Sequence, residues 1–329
     1  MKHLLSAFLF FISVPFCFSQ LQPTDINMEN IEYPFPVSYM RVDIQKQHFK
    51  MAYIDVQPQQ PNGKTIVLLH GKNFCAAYWK QTATELQEKG YRVIMPDQLG
   101  FGKSSKPQAF QYSFQQLAEN TKQLLDTLGI KKAIILGHSM GGMLAVRFTL
   151  MYPETVSKLI LEDPLGLEDY KLKVPYQSID DWFKKELQQN YESMKKYQLT
   201  FYYNNQWKPE YDQWLNMTAG WTINTDYAQI AWNSALTYDM IMTQPVVYEL
   251  GNISVPTLLI IGAADKTAPG KDLAPKAVQE TMGNFPEMAK QTKKKIPGCE
   301  LVEIPNTGHL PHIQSYAEFI KPLLAFLEK

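Results

Sequence analysis

The chain has 329 residues, 45% of them hydrophobic, and its 32 basic residues balance its 32 acidic ones. This length and composition allow a full hydrophobic core in one large domain or two. The even charge balance and the lack of a basic block argue against nucleic acid as a partner and against steering of ionic substrates. The three cysteines form neither a disulfide framework nor a metal-ligand pattern, so we expect no metal and no cofactor.

The first 19 residues have the pattern of a secretory signal peptide. A basic start precedes the apolar run 4–18, and small residues at Cys17 and Ser19 suit cleavage after Ser19. The run is too short for a comfortable membrane span. We therefore expect an exported protein, periplasmic or secreted, with an uncleaved anchor as the alternative. The remaining Cys75 and Cys299 are expected to be two separately buried thiols.

The elements after the signal alternate between strands and helices. Residues 20–40 are polar and marked by prolines, which indicates an extended arm on the body, and residues 41–56 read as a hairpin. A continuous apolar run typical of a buried parallel strand lies at 65–69, and further strands are predicted at 91–95, 133–136, 156–161, 256–261 and 300–304. Helical patterns lie between and after them at 76–89, 113–128, 143–151, 273–290 and 312–328. This alternation predicts an α/β fold with a doubly wound, mainly parallel sheet and a site at the carboxyl ends of its strands.

Residues 166–245 break this rhythm. Buried-strand runs disappear, and every tryptophan except Trp79 lies in this segment among many other aromatic residues. We predict an inserted helical module here, with residues 20–165 and 246–329 forming the core. Most of these rings should pack the module onto the core, while a few should face a cavity above the active site.

The pentapeptide Gly137-His138-Ser139-Met140-Gly141 lies between an apolar strand and a helix-like stretch. In that context the pattern G-x-S-x-G predicts a nucleophile elbow, a sharp turn that exposes the serine hydroxyl. Glycines on both sides let strand and helix approach without Cβ clashes. Ser139 is therefore the predicted nucleophile.

A serine hydroxyl needs a base to take its proton, and the base needs an acceptor that orients it. His309 and His312 both lie after the last strand, where this kind of architecture places the base. We favour His309, which lies in a loop, and expect a packing or hydrogen-bonding role for His312 at the start of the last helix. His138 should point away from the serine.

Two aspartates compete for the role of the acid. Asp265 follows the strand at 256–261 in a loop at the correct edge of the sheet, and Asp163 ends the preceding strand. We favour Asp265, with a loop-capping carboxylate as its ordinary alternative.

The attacked carbonyl oxygen gains negative charge and requires donors aimed at it in advance. One should be the Met140 backbone N–H at the start of the elbow helix, and the other the Lys72 or Asn73 N–H in the loop after the strand at 65–69. The Lys72 ammonium is expected at the surface. The loop at 97–104 has glycines without the dinucleotide spacing, so we expect a structural loop there.

In chain order, these motifs resemble the landmarks of the α/β-hydrolase superfamily. They are His70-Gly71, Asp97-x-x-Gly100-x-Gly102-x-Ser104, Gly137-His138-Ser139-Met140-Gly141-Gly142, Gly262-x-x-Asp265 and Gly308-His309. The resemblance covers most of residues 41–165 and 246–329, and the module between them is similar to the helical cap of that family. It implies serine acyl-transfer chemistry through an acyl-enzyme on Ser139. Lys72-Asn73 departs from the apolar or glycine residues that many members have there.

The leading hypothesis is an exported serine hydrolase of carboxylic esters with an apolar or aromatic part and a small-molecule substrate. Carbon–carbon bond hydrolases, proline-type aminopeptidases and perhydrolases of the same superfamily are the alternatives. A non-catalytic ligand-binding protein on this fold is the alternative from another class.

Overall fold

The apolar runs form the centre of one eight-stranded sheet in the computed structural model, which describes residues 21–329. The strands are β1 (Val37–Ile44), β2 (Gln47–Val56), β3 (Thr65–Leu69), β4 (Arg92–Pro96), β5 (Ala133–His138), β6 (Val156–Glu162), β7 (Thr257–Gly262) and β8 (Glu300–Ile304). Their order across the sheet is β1-β2-β4-β3-β5-β6-β7-β8. The first two form an antiparallel hairpin, β2 pairs antiparallel with β4, and all other pairs are parallel.

Both faces of the sheet centre are covered, which explains why its strands are mostly apolar on both faces. Successive side chains of a strand point to opposite faces. In β3, Val67 and Leu69 join one hydrophobic cluster, while Ile66 and Leu68 join the other. The core therefore consists of two layers, one on each side of the sheet.

Helices cover these faces and fill the segment between β6 and β7. The α-helices are α1 (Lys80–Glu88), α2 (Phe114–Thr127), α3 (Met140–Met151), α4 (Ile179–Glu186), α5 (Tyr191–Tyr197), α6 (Asp212–Ala219), α7 (Tyr227–Thr243), α8 (Lys276–Gln279), α9 (Phe285–Lys295), α10 (Pro311–Gln314) and α11 (Tyr316–Glu328). Short 3₁₀ turns lie at Ala76–Trp79, Pro153–Thr155, Tyr170–Leu172, Pro209–Tyr211, Gly220–Ile223, Leu250–Asn252 and Lys271–Leu273, and a π-helical turn at Gln198–Tyr202. The predicted α/β fold with a mainly parallel sheet is confirmed.

The predicted parallel strands differ from the observed ones by no more than two residues at either end. The single helix predicted at 273–290 is wrong, because the chain turns at Gly283 with a φ of +71°. A Cβ there would lie 2.6 Å from the Lys266 carbonyl oxygen. The second helix, α9, then starts afresh with the Asn284 side chain accepting a hydrogen bond from the Glu287 N–H.

Helices α4 to α7 lie between β6 and β7, in the segment where an inserted module was predicted. Its treatment as a separate cap with the bounds 166–245 stays a prediction. Within residues 21–329, no helix combines the length and the apolar character that crossing a membrane requires. The predicted signal peptide lies outside the described residues.

Cys75 and Cys299 are both buried and unpaired, as predicted. Burial raises the pKa of the Cys75 thiol to about 12, so this thiol is protonated at neutral pH.

Candidate active site

Ser139 lies on a tight turn between β5 and α3. Its backbone φ is +56°, in a region that residues other than glycine rarely adopt. A Cβ at position 137 would lie 2.1 Å from the Gly141 carbonyl oxygen, and one at 141 would lie 2.2 Å from that of Leu69. Only glycine therefore fits at these two positions, as the elbow motif predicts.

The His309 ring is buried beside the Ser139 hydroxyl. Its Nε2 lies 2.8 Å from Ser139 Oγ, and its Nδ1 lies 2.6 Å from Oδ2 of Asp265. In this arrangement Nδ1–H donates to the carboxylate, and the serine hydroxyl donates to Nε2. The structure thus brings together the three side chains that the sequence selected, each from a loop at the carboxyl edge of the sheet.

The Asp265 carboxylate is held from its other side as well. Its Oδ1 accepts a hydrogen bond of 2.8 Å from the Thr267 N–H. With both oxygens engaged, the carboxylate is fixed in the orientation that the imidazole requires.

Asp163, the other candidate for the acid, makes no hydrogen bond to His309 in the described chain. Both of its carboxyl oxygens lie 3.0 Å from the Gly262 backbone nitrogen, and the carboxyl also hydrogen-bonds with Asp265. Burial, followed by the negative charge of Asp265, raises the pKa of Asp163 well above its ordinary value. A protonated Asp163 can donate to Asp265 and leave the negative charge beside the histidine.

Oxygen and nitrogen atoms of Asp163, Asp265 and His309 lie within 4.8 Å of one another, close enough to hold a metal ion. These atoms already hydrogen-bond to each other, to Ser139 or to the Gly262 N–H. A metal would have to replace those bonds. The group therefore fits acid–base chemistry better than metal binding.

The predicted oxyanion donors lie around the nucleophile. The Met140 N–H is in the first turn of α3, where backbone donors have no intrahelical acceptor. On the opposite side, a Cβ at Gly71 would lie 3.1 Å from Ser139 Cβ, so the loop carrying Lys72 and Asn73 passes directly beside the serine. In the described chain neither N–H of this pair donates to a protein acceptor.

A buried chain of hydrogen bonds, which the sequence did not indicate, connects the two loops around the serine. The Gly71 N–H donates to Tyr78 Oη at 3.0 Å, and this hydroxyl lies 3.0 Å from Nδ1 of His138. Nε2 of His138 donates to the His309 carbonyl oxygen at 2.7 Å. Burial and then the nearby His309 and His312 lower the pKa of His138 well below its ordinary value, which keeps the ring neutral as this chain requires.

His312 has a different set of partners from His309. Its Nδ1 and its backbone N–H both bond to Oε1 of Glu162, at 2.8 and 2.9 Å. Its ring stacks on Trp79 with 4.3 Å between ring centroids. The expected hydrogen-bonding and packing role is confirmed. A charged residue directly after the apolar run 159–161 is the signal in the sequence that could have pointed to Glu162.

A cavity of about 230 Å³ lies next to the loop that carries Lys72 and Asn73. Its aromatic lining comprises Phe74, Phe101, Tyr197, Trp221, Tyr227 and Tyr238. The Lys72 side chain also lines it and is half-buried, so the expectation of a surface ammonium is wrong. Helix α7 covers this lysine, and neither its proximity nor its packing could be inferred from the local sequence.

Known proteins share this fold. A family model described as the alpha/beta hydrolase fold matches residues 64–316. The chain belongs to the α/β-hydrolase fold family. The predicted resemblance is therefore confirmed, and so is the coarse prediction of a hydrolase.

Among solved structures, this α/β hydrolase is similar to a probable hydrolytic enzyme from Pseudomonas aeruginosa PAO1. The two are 49% identical, with a TM-score of 0.93, over 94% of this chain and 100% of the other. Among curated proteins, it is 28% identical to the AB hydrolase superfamily protein YisY of Bacillus subtilis, over 75% of this chain and 85% of that protein. It is also 33% identical to the 2-hydroxy-6-oxo-6-phenylhexa-2,4-dienoate hydrolase of Comamonas testosteroni, over 43% of this chain and 51% of the other.

Proposed function

We propose that this α/β hydrolase is an exported serine hydrolase that cleaves carboxylic esters of apolar or aromatic character. The proposal depends on one observation above all. Ser139 Oγ and Asp265 Oδ2 lie 2.8 and 2.6 Å from the two ring nitrogens of His309, and all three side chains are buried together. Export depends on the sequence pattern of residues 1–19.

In the proposed reaction, His309 Nε2 takes the hydroxyl proton as Ser139 Oγ attacks the ester carbonyl carbon. Asp265 holds the ring in the required tautomer and stabilises the imidazolium that forms. The imidazolium then returns the proton to the leaving alcohol, and the acyl group stays on Ser139. Water, deprotonated by the same nitrogen, attacks the acyl-enzyme and releases the acid.

The negative charge on the carbonyl oxygen would be stabilised by two backbone donors. The Met140 N–H is one, and the Lys72 or Asn73 N–H is the other. In the described chain none of these three N–H groups donates to a protein acceptor, which supports their proposed role as oxyanion donors. Each such donor contributes roughly 3 kcal/mol to transition-state stabilisation in serine hydrolases.

The aromatic lining of the cavity supports the apolar or aromatic character of the substrate. Rings from the segment between β6 and β7 contribute Tyr197, Trp221, Tyr227 and Tyr238 to it. Such walls bind apolar groups by burying their surface. These four are the rings of the proposed cap that would contact the substrate, whereas others, such as the stacked Tyr203 and Tyr211, pack among themselves.

The proposal is tested with a fluorophosphonate probe and a series of para-nitrophenyl esters. We expect the wild type to be labelled and to hydrolyse the esters. Ser139→Ala should lose labelling and at least about a thousandfold in kcat while keeping its circular dichroism spectrum and melting temperature. An unlabelled wild type, or a variant labelled equally well, would remove the serine hydrolase reading and favour a non-catalytic binding protein.

Carbon–carbon bond hydrolysis is the second candidate, supported by the likeness to the dienoate hydrolase of Comamonas testosteroni over 43% of the chain. Turnover of a dienoate with a vinylogous diketone, combined with no turnover of any ester, would favour it over ester cleavage.

A further inference from the structure

The cavity beside the proposed oxyanion loop has two charged residues in its lining, as far as the described chain shows. They are Lys72 and Glu186, and every other lining residue is neutral. The cavity is therefore an aromatic pocket with one positive and one negative side chain. Charges in such a place are costly to desolvate, so each calls for a partner.

The Lys72 ammonium is held in a defined position. Its Nζ donates to Ser234 Oγ at 2.5 Å and lies 4.0 Å from the centre of the Tyr238 ring, both on α7. These two contacts come from an element far away in sequence, so the lysine side chain is part of the junction between the core and the helices above it. A freely solvated lysine would have no such pair of contacts.

The ammonium is nevertheless short of acceptors. An ammonium has three N–H donors, and in the described chain only the Ser234 hydroxyl accepts one. No carboxylate there forms an ion pair with it, Glu186 included. Burial lowers the pKa of Lys72, and the charge of Glu186 acts in the opposite direction. With one N–H on Ser234 and the Tyr238 ring beside it, the ammonium still has a donor without a protein acceptor that a ligand or solvent in the cavity can use.

Lys72 also lies one residue from the loop position that touches the nucleophile. The Gly71 backbone packs against the Ser139 side chain, where a Cβ would come within 3.1 Å of Ser139 Cβ. The Lys72 side chain leaves this point toward the cavity. The ammonium therefore faces the cavity, while the backbone one residue earlier contacts the serine.

We propose that Lys72 is the binding site for a carboxylate on the acyl part of the substrate, so that the preferred esters are monoesters of dicarboxylic acids or related anionic acyl compounds. The inference rests on the proposed function and narrows it, because the apolar part of such an ester is the carbon chain between its two carboxyl groups. The ammonium would form charge-assisted hydrogen bonds to the carboxylate, and the aromatic walls would bury the carbon chain. Glu186, the other charged residue of the lining, would repel that carboxylate and not bind it.

The experiment compares matched esters within each enzyme. The anionic series consists of para-nitrophenyl monoesters of the dicarboxylic acids from butanedioic to octanedioic, and the neutral series of para-nitrophenyl esters of the monocarboxylic acids of equal length. The quantity measured is the ratio of kcat/KM for the anionic ester to that for its neutral match, after subtraction of the uncatalysed rate. Because it is a ratio, any general loss from a disturbed loop cancels.

We expect Lys72→Met to lower this ratio at least about tenfold for the best chain length, mainly through KM. Lys72→Arg, which keeps the charge, should retain most of it. Glu186→Gln is the matched control in the same cavity, and it should leave the ratio unchanged or raise it. Melting temperatures establish that each variant is folded.

An unchanged ratio in Lys72→Met, or an equal fall in Glu186→Gln, would overturn the assignment. The two proposals fail in different ways. A wild type that hydrolyses neutral esters and takes the probe, with a ratio insensitive to Lys72, refutes the carboxylate site alone. A wild type that neither takes the probe nor hydrolyses either series refutes the serine hydrolase itself.

Discussion

His309 and His312 are three residues apart in sequence, but they bond to different carboxylates. His309 lies between Ser139 and Asp265, whereas His312 bonds to Glu162 and stacks on Trp79. In the proposed reaction the proton transfer depends on the His309 ring, whereas the His312 ring contributes packing and a buried hydrogen bond. We therefore expect a substitution of His309 to affect mainly the rate and a substitution of His312 to affect mainly the stability.

We expect His309→Ala to lower kcat by about a thousandfold or more, because no other base can accept the serine proton. His312→Ala should change kcat by less than about tenfold but lower the free energy of unfolding by about 3 kcal/mol, since it leaves the buried Glu162 with only the backbone N–H of residue 312 as a partner. Ester hydrolysis and urea unfolding of both variants give the two quantities. Comparable losses of rate would contradict the assignment of the base.

At this scale the sequence was informative where a motif and the chain order agree. Ser139, Asp265 and His309 could be chosen because each follows a recognisable strand, and parallel strands end at one edge. Tyr78 and the side chain of Lys72 could not be placed. Their partners, His138 and Ser234, are 60 and 162 residues away in the chain, and no local pattern records such contacts.

Among the elements, the arm at residues 21–36 connects two parts of the protein. Tyr33 Oη donates to Asp97 in the loop after β4 at 2.8 Å. Near its start, the Thr24 N–H donates to the Gly220 carbonyl at 3.1 Å, and Trp221 Nε1 donates to the carbonyl of Asp25 at 2.8 Å. The arm thus holds the helical segment between β6 and β7 against the core.

Gly220→Ala should detach this arm. The added Cβ would lie 2.2 Å from Thr24 Oγ1 and 2.6 Å from the Gln22 carbonyl oxygen, although the helical backbone at 220 suits alanine. We expect faster proteolysis within the arm and a loss of about 1–3 kcal/mol in the free energy of unfolding. Limited proteolysis read by mass spectrometry and thermal melting measure both.

Gly251→Ala is the control, because its Cβ would meet only the Lys295 carbonyl oxygen at an ordinary 3.6 Å. If the two alanine variants are cleaved at the same rate, the arm does not depend on this contact.

Elements were predictable where one period dominates the pattern. The buried strands were predictable from short, mostly apolar runs. Helix α2 was predictable from its capping serine, Ser113, whose hydroxyl accepts a hydrogen bond from the Gln116 N–H. The region around α8 and α9 was misjudged because a glycine inside a helical pattern is tolerated in many helices. Whether it breaks one depends on tertiary contacts such as that of Gly283 with Lys266.

For the whole molecule, the buried Asp163 predicts how stability depends on pH. Its raised pKa means that the folded state retains a proton that the unfolded state releases above about pH 3.9. The stabilisation is complete below that unfolded value and is lost as the pH rises through the folded one. This carboxyl therefore makes the protein less stable as the solution becomes more alkaline.

Asp163→Asn replaces the protonated carboxyl by a neutral amide of the same shape, which can donate to Asp265 and accept from the Gly262 N–H. We expect the stability of this variant relative to the wild type to increase with pH, by up to about 1.4 kcal/mol per unit within the window. Urea unfolding between about pH 5 and about pH 8 measures it. Parallel curves of stability against pH for the two proteins would refute a protonated Asp163.

The Asp163→Asn variant should also retain more ester-hydrolysing activity than Asp265→Asn, because the latter removes the negative charge beside His309.

The hydrogen bonds from Gly71 through Tyr78 and His138 to the His309 carbonyl have a practical consequence. They hold the backbone of His309 by main-chain and ring contacts that involve neither the serine hydroxyl nor Asp265. A Ser139→Ala variant, which the proposed mechanism expects to be inactive, should therefore keep the His309 ring in its place. Such a variant is suited to the capture of natural substrates from cell extracts, since a retained compound would bind to an otherwise unchanged site.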